Sequence, residues 1–213
     1  MSDDPRERLM AELAAEVKDT RVLDAIRRVP REEFVDRDVR YAAYENRPLP
    51  IGHGQTISQP LIVALMAQAL LLSGDEKVLE VGTGSGYQAA VLSLLARQVV
   101  SVERVAPLAQ AAAERLERLG YRNVEVHVVE EVLGWPYGAP YDAIVVAAAA
   151  PEVPLALLNQ LAVEGRLVIP VGARNLQELV RIVKTPAGAQ RHNLGPCRFV
   201  PLLGSSAWPE RRR

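Results

Sequence analysis

A chain of 213 residues, 49% of them hydrophobic, is long enough to bury a core as one domain, because the buried fraction of the surface rises with size. Lys plus Arg number 25 against 26 Asp plus Glu, a net charge of −1; no broad positive field exists to hold a nucleic-acid backbone or an anionic membrane surface, so neither is an expected partner. The single cysteine, Cys197, excludes an internal disulfide, and His53, His127 and His192 are too scattered to form a zinc site.

Two short helices are predicted at the start, over residues 6–17 and 20–29, where Leu9, Leu13 and Val17, then Val22, Ile26 and Val29, recur at helical spacing. Pro30 ends the second. The charged start, residues 1–8, lacks the apolar core of a signal peptide, no apolar run reaches the ~18 residues of a membrane span, and the final Arg211-Arg212-Arg213 reads as a solvated tail. A cytoplasmic, metal-free protein is expected. From residue 35 to 58 periodicity vanishes while Pro48, Pro50, Gly52 and Gly54 crowd together, the composition of a long ordered loop and a place to look for function. Helical spacing resumes at Ile62, Met66 and Leu70.

After Gly74, short apolar strands alternate with amphipathic helices. The pattern predicts a strand at 77–81, a helix at 87–96, a strand at 99–102, and a helix with Val105, Leu108, Ala112, Leu116 and Leu119 on one face, stopped by Gly120. Strands at 124–129 and 143–147 follow, the second fully apolar. A helix near 155–161 leads to a strand at 166–169, and 179–184 and 198–203 supply two more. This order predicts an α/β fold: a doubly wound, Rossmann-like, mostly parallel sheet with helices on both faces. Pro186, Gly188 and Gly195 separate the last two strands without a crossover helix, so an antiparallel pairing is expected at the sheet edge. Residues 1–74 would hold the N-terminal helices and the loop, and 75–213 the core, of one domain over 1–213.

The first core strand runs into Glu80-Val81-Gly82-Thr83-Gly84-Ser85-Gly86 and then a helix. Glycines there permit a sharp turn and close approach of backbone to a ligand, at the strand end where doubly wound sheets bind. A dinucleotide fingerprint would need glycine where Tyr87 stands, and no Lys-Ser or Lys-Thr follows as in a phosphate loop. Gly-x-Gly-x-Gly after an acidic strand end is instead the pattern of enzymes that use S-adenosylmethionine, whose sulfonium and ammonium suit Glu80. The next strand ends at Glu103, twenty-one residues after Gly82, where a carboxylate can accept from both ribose hydroxyls or cap the following helix.

The segment Arg47-Pro48-Leu49-Pro50-Ile51-Gly52-His53-Gly54-Gln55-Thr56-Ile57-Ser58-Gln59-Pro60 resembles the substrate loop of protein-L-isoaspartate O-methyltransferases. Glu80 to Tyr87 resembles their cofactor loop, Ala139 to Ile144 and Ala148 to Pro151 their fourth strand and its exit, and Phe199-Val200-Pro201-Leu202 their terminal strand. The likeness spans nearly the whole chain, and Gly-Gln-Thr-Ile-Ser is its most specific part. It implies a monomeric repair enzyme that methylates the free α-carboxylate of L-isoaspartyl residues in damaged proteins, after which the ester closes to a succinimide and reopens partly as aspartate. It further implies Ser58 as the active-site hydroxyl, Gln55, Thr56 and Ile57 lining the peptide groove, and Val200 and Pro201 closing it. Val129-Glu130-Glu131 replaces the Gly-Asp-Gly of the family, which leaves Glu130 for the adenine amino group, and Ala147 stands where the family has threonine.

A carboxylate, with a pKa of ~4, is already the nucleophile near neutrality. The site therefore needs alignment and exclusion of water rather than a base, and Ser58 fits an orienting donor. Its plainer reading is a helix N-cap before Pro60. His53, between two glycines, reads as surface or groove wall, Trp135 and Trp208 as packing, and Cys197 as a small apolar filler at a strand edge. The residues leave open a related carboxylate methyltransferase with another peptide or small-molecule acceptor, and a non-catalytic relative that binds without turnover. A nucleic-acid methyltransferase would need a basic stripe that the sequence lacks.

Overall fold

The computed structural model describes residues 4–130, 132–204 and 207–208. Helix α1 (Pro5–Glu16) starts where Asp4 accepts from the Arg6 N–H at 2.9 Å, and α2 (Thr20–Arg28) where Asp19 does the same for Arg21 at 3.0 Å. Both use the acidic N-cap chemistry that satisfies orphan helical donors. The segment read as a loop is ordered by two 3-10 turns, Arg31–Phe34 and Arg37–Ala42, and by a small antiparallel hairpin of β1 (Leu49–Pro50) and β2 (Thr56–Ile57). Such short pieces carry too few residues for periodicity to reveal. Helix α3 (Pro60–Ala69) follows.

The core then alternates β3 (Lys77–Val81), α4 (Tyr87–Ser93), β4 (Gln98–Glu103), α5 (Ala106–Arg118), β5 (Val124–Val128), β6 (Tyr141–Val146), α6 (Leu155–Gln160), β7 (Leu161–Ala173), β8 (Leu176–Thr185) and β9 (Gly188–Cys197). Seven strands pair in the order β5-β4-β3-β6-β7-β8-β9, parallel through β7 and antiparallel at β8 and β9. The doubly wound, mostly parallel sheet with an antiparallel edge is thus the expected one. Successive residues of each strand face opposite layers: Val78, Val99, Ala143, Val145 and Val168 pack under α1–α5, while Leu79, Val100, Ile144, Leu167 and Ile169 pack with α6 and the terminal segment. Strands buried on both faces need apolar residues at nearly every position, which is why β3, β4 and β6 stand out in the sequence.

The chain end differs from the expected strand at 198–203. The edge strand is β9 instead, and 198–203 forms only isolated bridges, Pro201 beside Ala149 and Leu203 beside Trp208. β9 is exposed at almost every residue, so it carries no apolar alternation; it is held mainly by backbone pairing to β8, with the exposed Arg191–Glu178 pair across the two strands, information that side-chain pattern does not contain. β7 is also longer than predicted and begins directly at the end of α6.

Candidate active site

Chain direction across the sheet reverses between β3 and β6, and a cleft opens at the carboxyl ends of those strands, where such sheets bind ligands. It encloses about 1210 Å³, counting its open mouth. One wall is the turn after β3. Gly82 has φ +99° and Gly86 φ +87°, values that a residue with a Cβ adopts only under strain. Gly82 and Thr83 donate backbone N–H to the Val102 carbonyl, so the turn folds over the end of β4. Gly82, Thr83, Gly84 and Ser85 line the cleft. Gly86 does not, because it faces Ala112 and Leu116 of α5, where a Cβ would sit 3.3 Å from Leu116.

Glu80 also lies outside the cleft lining. Its carboxyl is fully buried beneath the turn; Oε2 accepts from the Ser101 hydroxyl at 2.5 Å, and Ser101 in turn meets Thr83 Oγ1 at 2.6 Å, while Oε1 has no partner among the described residues. Burial pushes this carboxyl up to about 8, against the Ser101 bond, which lowers it, and with help from the nearby charge of Glu103. Glu80 thus braces the turn from below through Ser101. Glu103 reaches the cleft itself. One carboxylate oxygen accepts from the Gly84 N–H at 2.9 Å, and the other from the Arg104 and Val105 N–H groups at 2.8 and 2.9 Å. It therefore fixes the turn that leads into α5 and faces the ligand space at once, but it is not the helix cap, since Val105 holds that position without a side-chain cap bond.

Glu130 is exposed and lines the cleft beyond β5; Glu131 lies outside the described residues. The Val129 N–H donates to the Glu103 carbonyl, carrying Glu130 past the end of β4. The loop after it is pinned by Gln160 of α6, which accepts from the Trp135 N–H and donates to the Leu133 carbonyl, each at 2.8 Å. Gly134 has φ +79°, and a Cβ there would lie 2.6 Å from Gln160 Oε1. Gln160, the last residue of α6, has no signal of this role in the sequence, because its partners lie 25 and 27 residues away.

The opposite wall is the loop around β2. Gln55, Thr56, Ile57 and Ser58 line it, and Val200 and Pro201 close it from the terminal segment, which is tied to Ala149 by the Ala149 N–H to Val200 carbonyl and Leu202 N–H to Ala149 carbonyl bonds. Ser58 is not a helix cap. Gln59 occupies the N-cap of α3, and Asn46 Oδ1 takes the Leu61 N–H instead. Arg31, also missed in the sequence, is fully buried beneath this loop and donates to the Ser58 carbonyl at 2.8 Å. His53 is exposed at a turn with φ +51°, away from the cleft lining. Trp135 stacks on His127 with ring centroids 4.1 Å apart, Trp208 lies under the Arg174 guanidinium, and Cys197 is buried at the end of β9. All three have the packing roles expected of them.

A cleft that joins a glycine turn on one side to the Gln55–Ser58 loop on the other combines two separate segments of the sequence. A family model described as protein-L-isoaspartate(D-aspartate) O-methyltransferase matches residues 4–207. The chain belongs to this family. Curated relatives include protein-L-isoaspartate O-methyltransferase 2 of Marinobacter nauticus, 55% identical over 91% of this chain and 89% of its own length, and its namesake in Pelobacter propionicus, 57% identical over 90% and 86%. Among solved structures, a protein-L-isoaspartate O-methyltransferase superposes with a TM-score of 0.84 at 31% identity, covering 95% of this chain and 67% of the other. A Plasmodium falciparum β-aspartate methyltransferase in complex with S-adenosyl-L-homocysteine gives 0.78 at 25%, covering 93% and 98%. Among the described residues, no helix is long and apolar enough to cross a membrane, and no cluster of His, Cys, Asp and Glu could hold a metal ion.

Proposed function

We propose that the cleft carries out the family reaction, transfer of a methyl group from S-adenosylmethionine to the free α-carboxylate of an L-isoaspartyl residue in damaged protein. The observation that carries this reading is the convergence of the glycine turn with Glu103 and of the Gln55–Ser58 loop on one cavity. The residues fit the cofactor. Backbone at Gly82 and Gly84 permits close approach, and Glu103 and Glu130, both lining the cleft, offer acceptors for ribose hydroxyls and for an adenine amino group. When bound, the cofactor supplies an electrophilic methyl group on a sulfonium.

The chain's own residues then have three tasks. Gln55, Thr56 and Ile57 hold the peptide beside the glycine turn; Ser58 donates to the carboxylate and fixes its direction of approach; Val200 and Pro201 cover the cleft and exclude water. No base is needed, because the acceptor is already an anion near neutrality. Opposite charges vanish as the methyl moves, so a water-poor cleft lowers the barrier. The same reading treats residues 1–213 as one methyltransferase domain, working as a monomer in the cytoplasm without nucleic acid. Two apolar layers on a common sheet support the single domain, and a buried free thiol suits a reducing compartment.

Labelled S-adenosylmethionine offered with paired peptides that differ only in L-isoaspartate or L-aspartate tests the activity. Base-labile label on the isoaspartyl peptide alone is expected. Label on neither, with the cofactor bound, overturns the acceptor assignment, and sedimentation at a mass other than 23.3 kDa overturns the monomer.

A further inference from the structure

Gln88 stands in the first turn of α4 beside Tyr87 and Ala89, and is buried to 6% exposure, yet it lines the cleft. Its Nε2 has no partner among the described residues. A buried amide N–H without an acceptor is costly, and a fold keeps one most readily where a ligand supplies the acceptor. Side chains of a helix lean toward its N-terminus, which inclines Gln88 toward the glycine turn and the cavity it shares with Ser58.

The fully buried charge behind this end of the cleft is a cation. Arg31 is fully buried, its guanidinium carbon lies 4.7 Å from the Tyr87 ring centroid, and Nε and Nη1 have no partner among the described residues; Nη2 donates to the Ser58 carbonyl. Among the described residues, no carboxylate is salt-bridged to it. The acidic side chains of the cleft, Glu103 and Glu130, sit at the ends of β4 and beyond β5. An uncompensated cation behind the wall and an unpaired donor within it favour an anion with oxygen acceptors.

We propose that the side-chain amide of Gln88 binds a carboxylate in the cleft, in the positive field of Arg31. The proposal rests on the methyltransferase reading, which brings two carboxylates into the cavity: that of the cofactor's amino-acid moiety and the α-carboxylate of the isoaspartyl acceptor. Calorimetric titration of the full chain with S-adenosylhomocysteine and with its decarboxylated analogue, which keeps the amine, separates these sources when paired with steady-state methylation of the isoaspartyl peptide. A wild-type protein that neither binds the first nor labels the peptide overturns the methyltransferase reading; one that does both makes the variants a test of Gln88 alone.

Gln88→Met keeps length and volume while removing the donor. If the cofactor carboxylate is the partner, affinity for S-adenosylhomocysteine falls roughly 10- to 100-fold and that for the decarboxylated analogue is unchanged. If the acceptor carboxylate is the partner, peptide KM rises by a similar factor with cofactor affinity intact. In both cases Gln88→Glu binds worse still, by like-charge repulsion. Unchanged affinity and KM in Gln88→Met, or equal weakening for the two cofactor analogues with KM unchanged, overturns the proposal. Should the Met variant fail to fold, Gln88→Asn, which withdraws the amide by one methylene, carries the same comparison.

Discussion

Ser58 stands just ahead of Pro60, where a capping role is the ordinary use of a serine, but Gln59 holds that boundary and leaves Ser58 to the cleft wall. Replacing it by alanine should therefore lower kcat/KM for the isoaspartyl peptide about 10- to 100-fold, the loss of one hydrogen bond to a charged group, with S-adenosylhomocysteine affinity and thermal midpoint unchanged. A fall in the midpoint of several degrees would return Ser58 to a structural role. Two other residues at this scale respond to pH in opposite senses. Burial raises the Glu80 carboxyl from 4.5 to about 8, so the folded protein keeps a proton that the unfolded chain gives up, and stability is lost as pH rises from 4.5 through 8. Burial also works to raise Glu76, but N–H groups of Ser73 and Gly74 outweigh it and hold that carboxyl below 4.5. Its contribution is present above that value and disappears as pH falls through the lower folded-state pKa. Urea midpoints of Glu80→Gln measured across pH 5 to 9 should gain on wild type as pH rises; a constant difference would mean that Glu80 is ionised in the fold.

At the scale of elements, the turn after β3 and the loop after β5 are shaped by backbone requirements. Gly82→Ala places a Cβ only 3.4 Å from that of Ala147, an ordinary contact, so the damage comes from φ +99°. We expect a loss of about 1–3 kcal/mol, read as a fall in midpoint of roughly 2–4 °C for each kcal/mol, together with weaker cofactor binding. Gln160→Ala removes the clamp on Leu133 and Trp135 and should weaken S-adenosylhomocysteine several-fold by loosening the segment that carries Glu130; unchanged affinity would show that Glu130 is placed without it. The glycine turn was legible because strand, glycines and helix adjoin in sequence. The clamp was not, since Gln160 lies 27 residues from Leu133 and no local pattern links them. β9 was missed for a related reason: its polar residues are specified by a neighbouring strand's free edge and not by a buried face.

Across the whole molecule, the N-terminal layer that carries the Gln55–Ser58 loop is tied to the core by packing, by the exposed Arg118–Glu33 ion pair and by a shielded polar junction at β7. Arg166 of β7 donates to the Leu70 and Leu71 carbonyls and pairs with Glu76 at 3.2 Å, with both side chains largely shielded. Arg166→Met should cost about 3 kcal/mol, since it leaves Glu76 and the end of α3 short of partners, and thermal unfolding would register it as a drop of roughly 6–12 °C. A drop below two degrees would place the coupling in apolar contacts alone. The sheet's central strands, the helices over them and the glycine turn were legible from the residues alone, because periodicity, proline and glycine act within a few residues of where they stand. The sequence also carried the substrate-loop motif. Folding in three dimensions was needed to show that Glu80 lies beneath the site, that Ser58 is no cap, and that the Gln88 amide and two of the three Arg31 nitrogens find no acceptor among the described residues. Burial and partnership depend on what distant segments bring to each atom, and a linear chain does not record those distances.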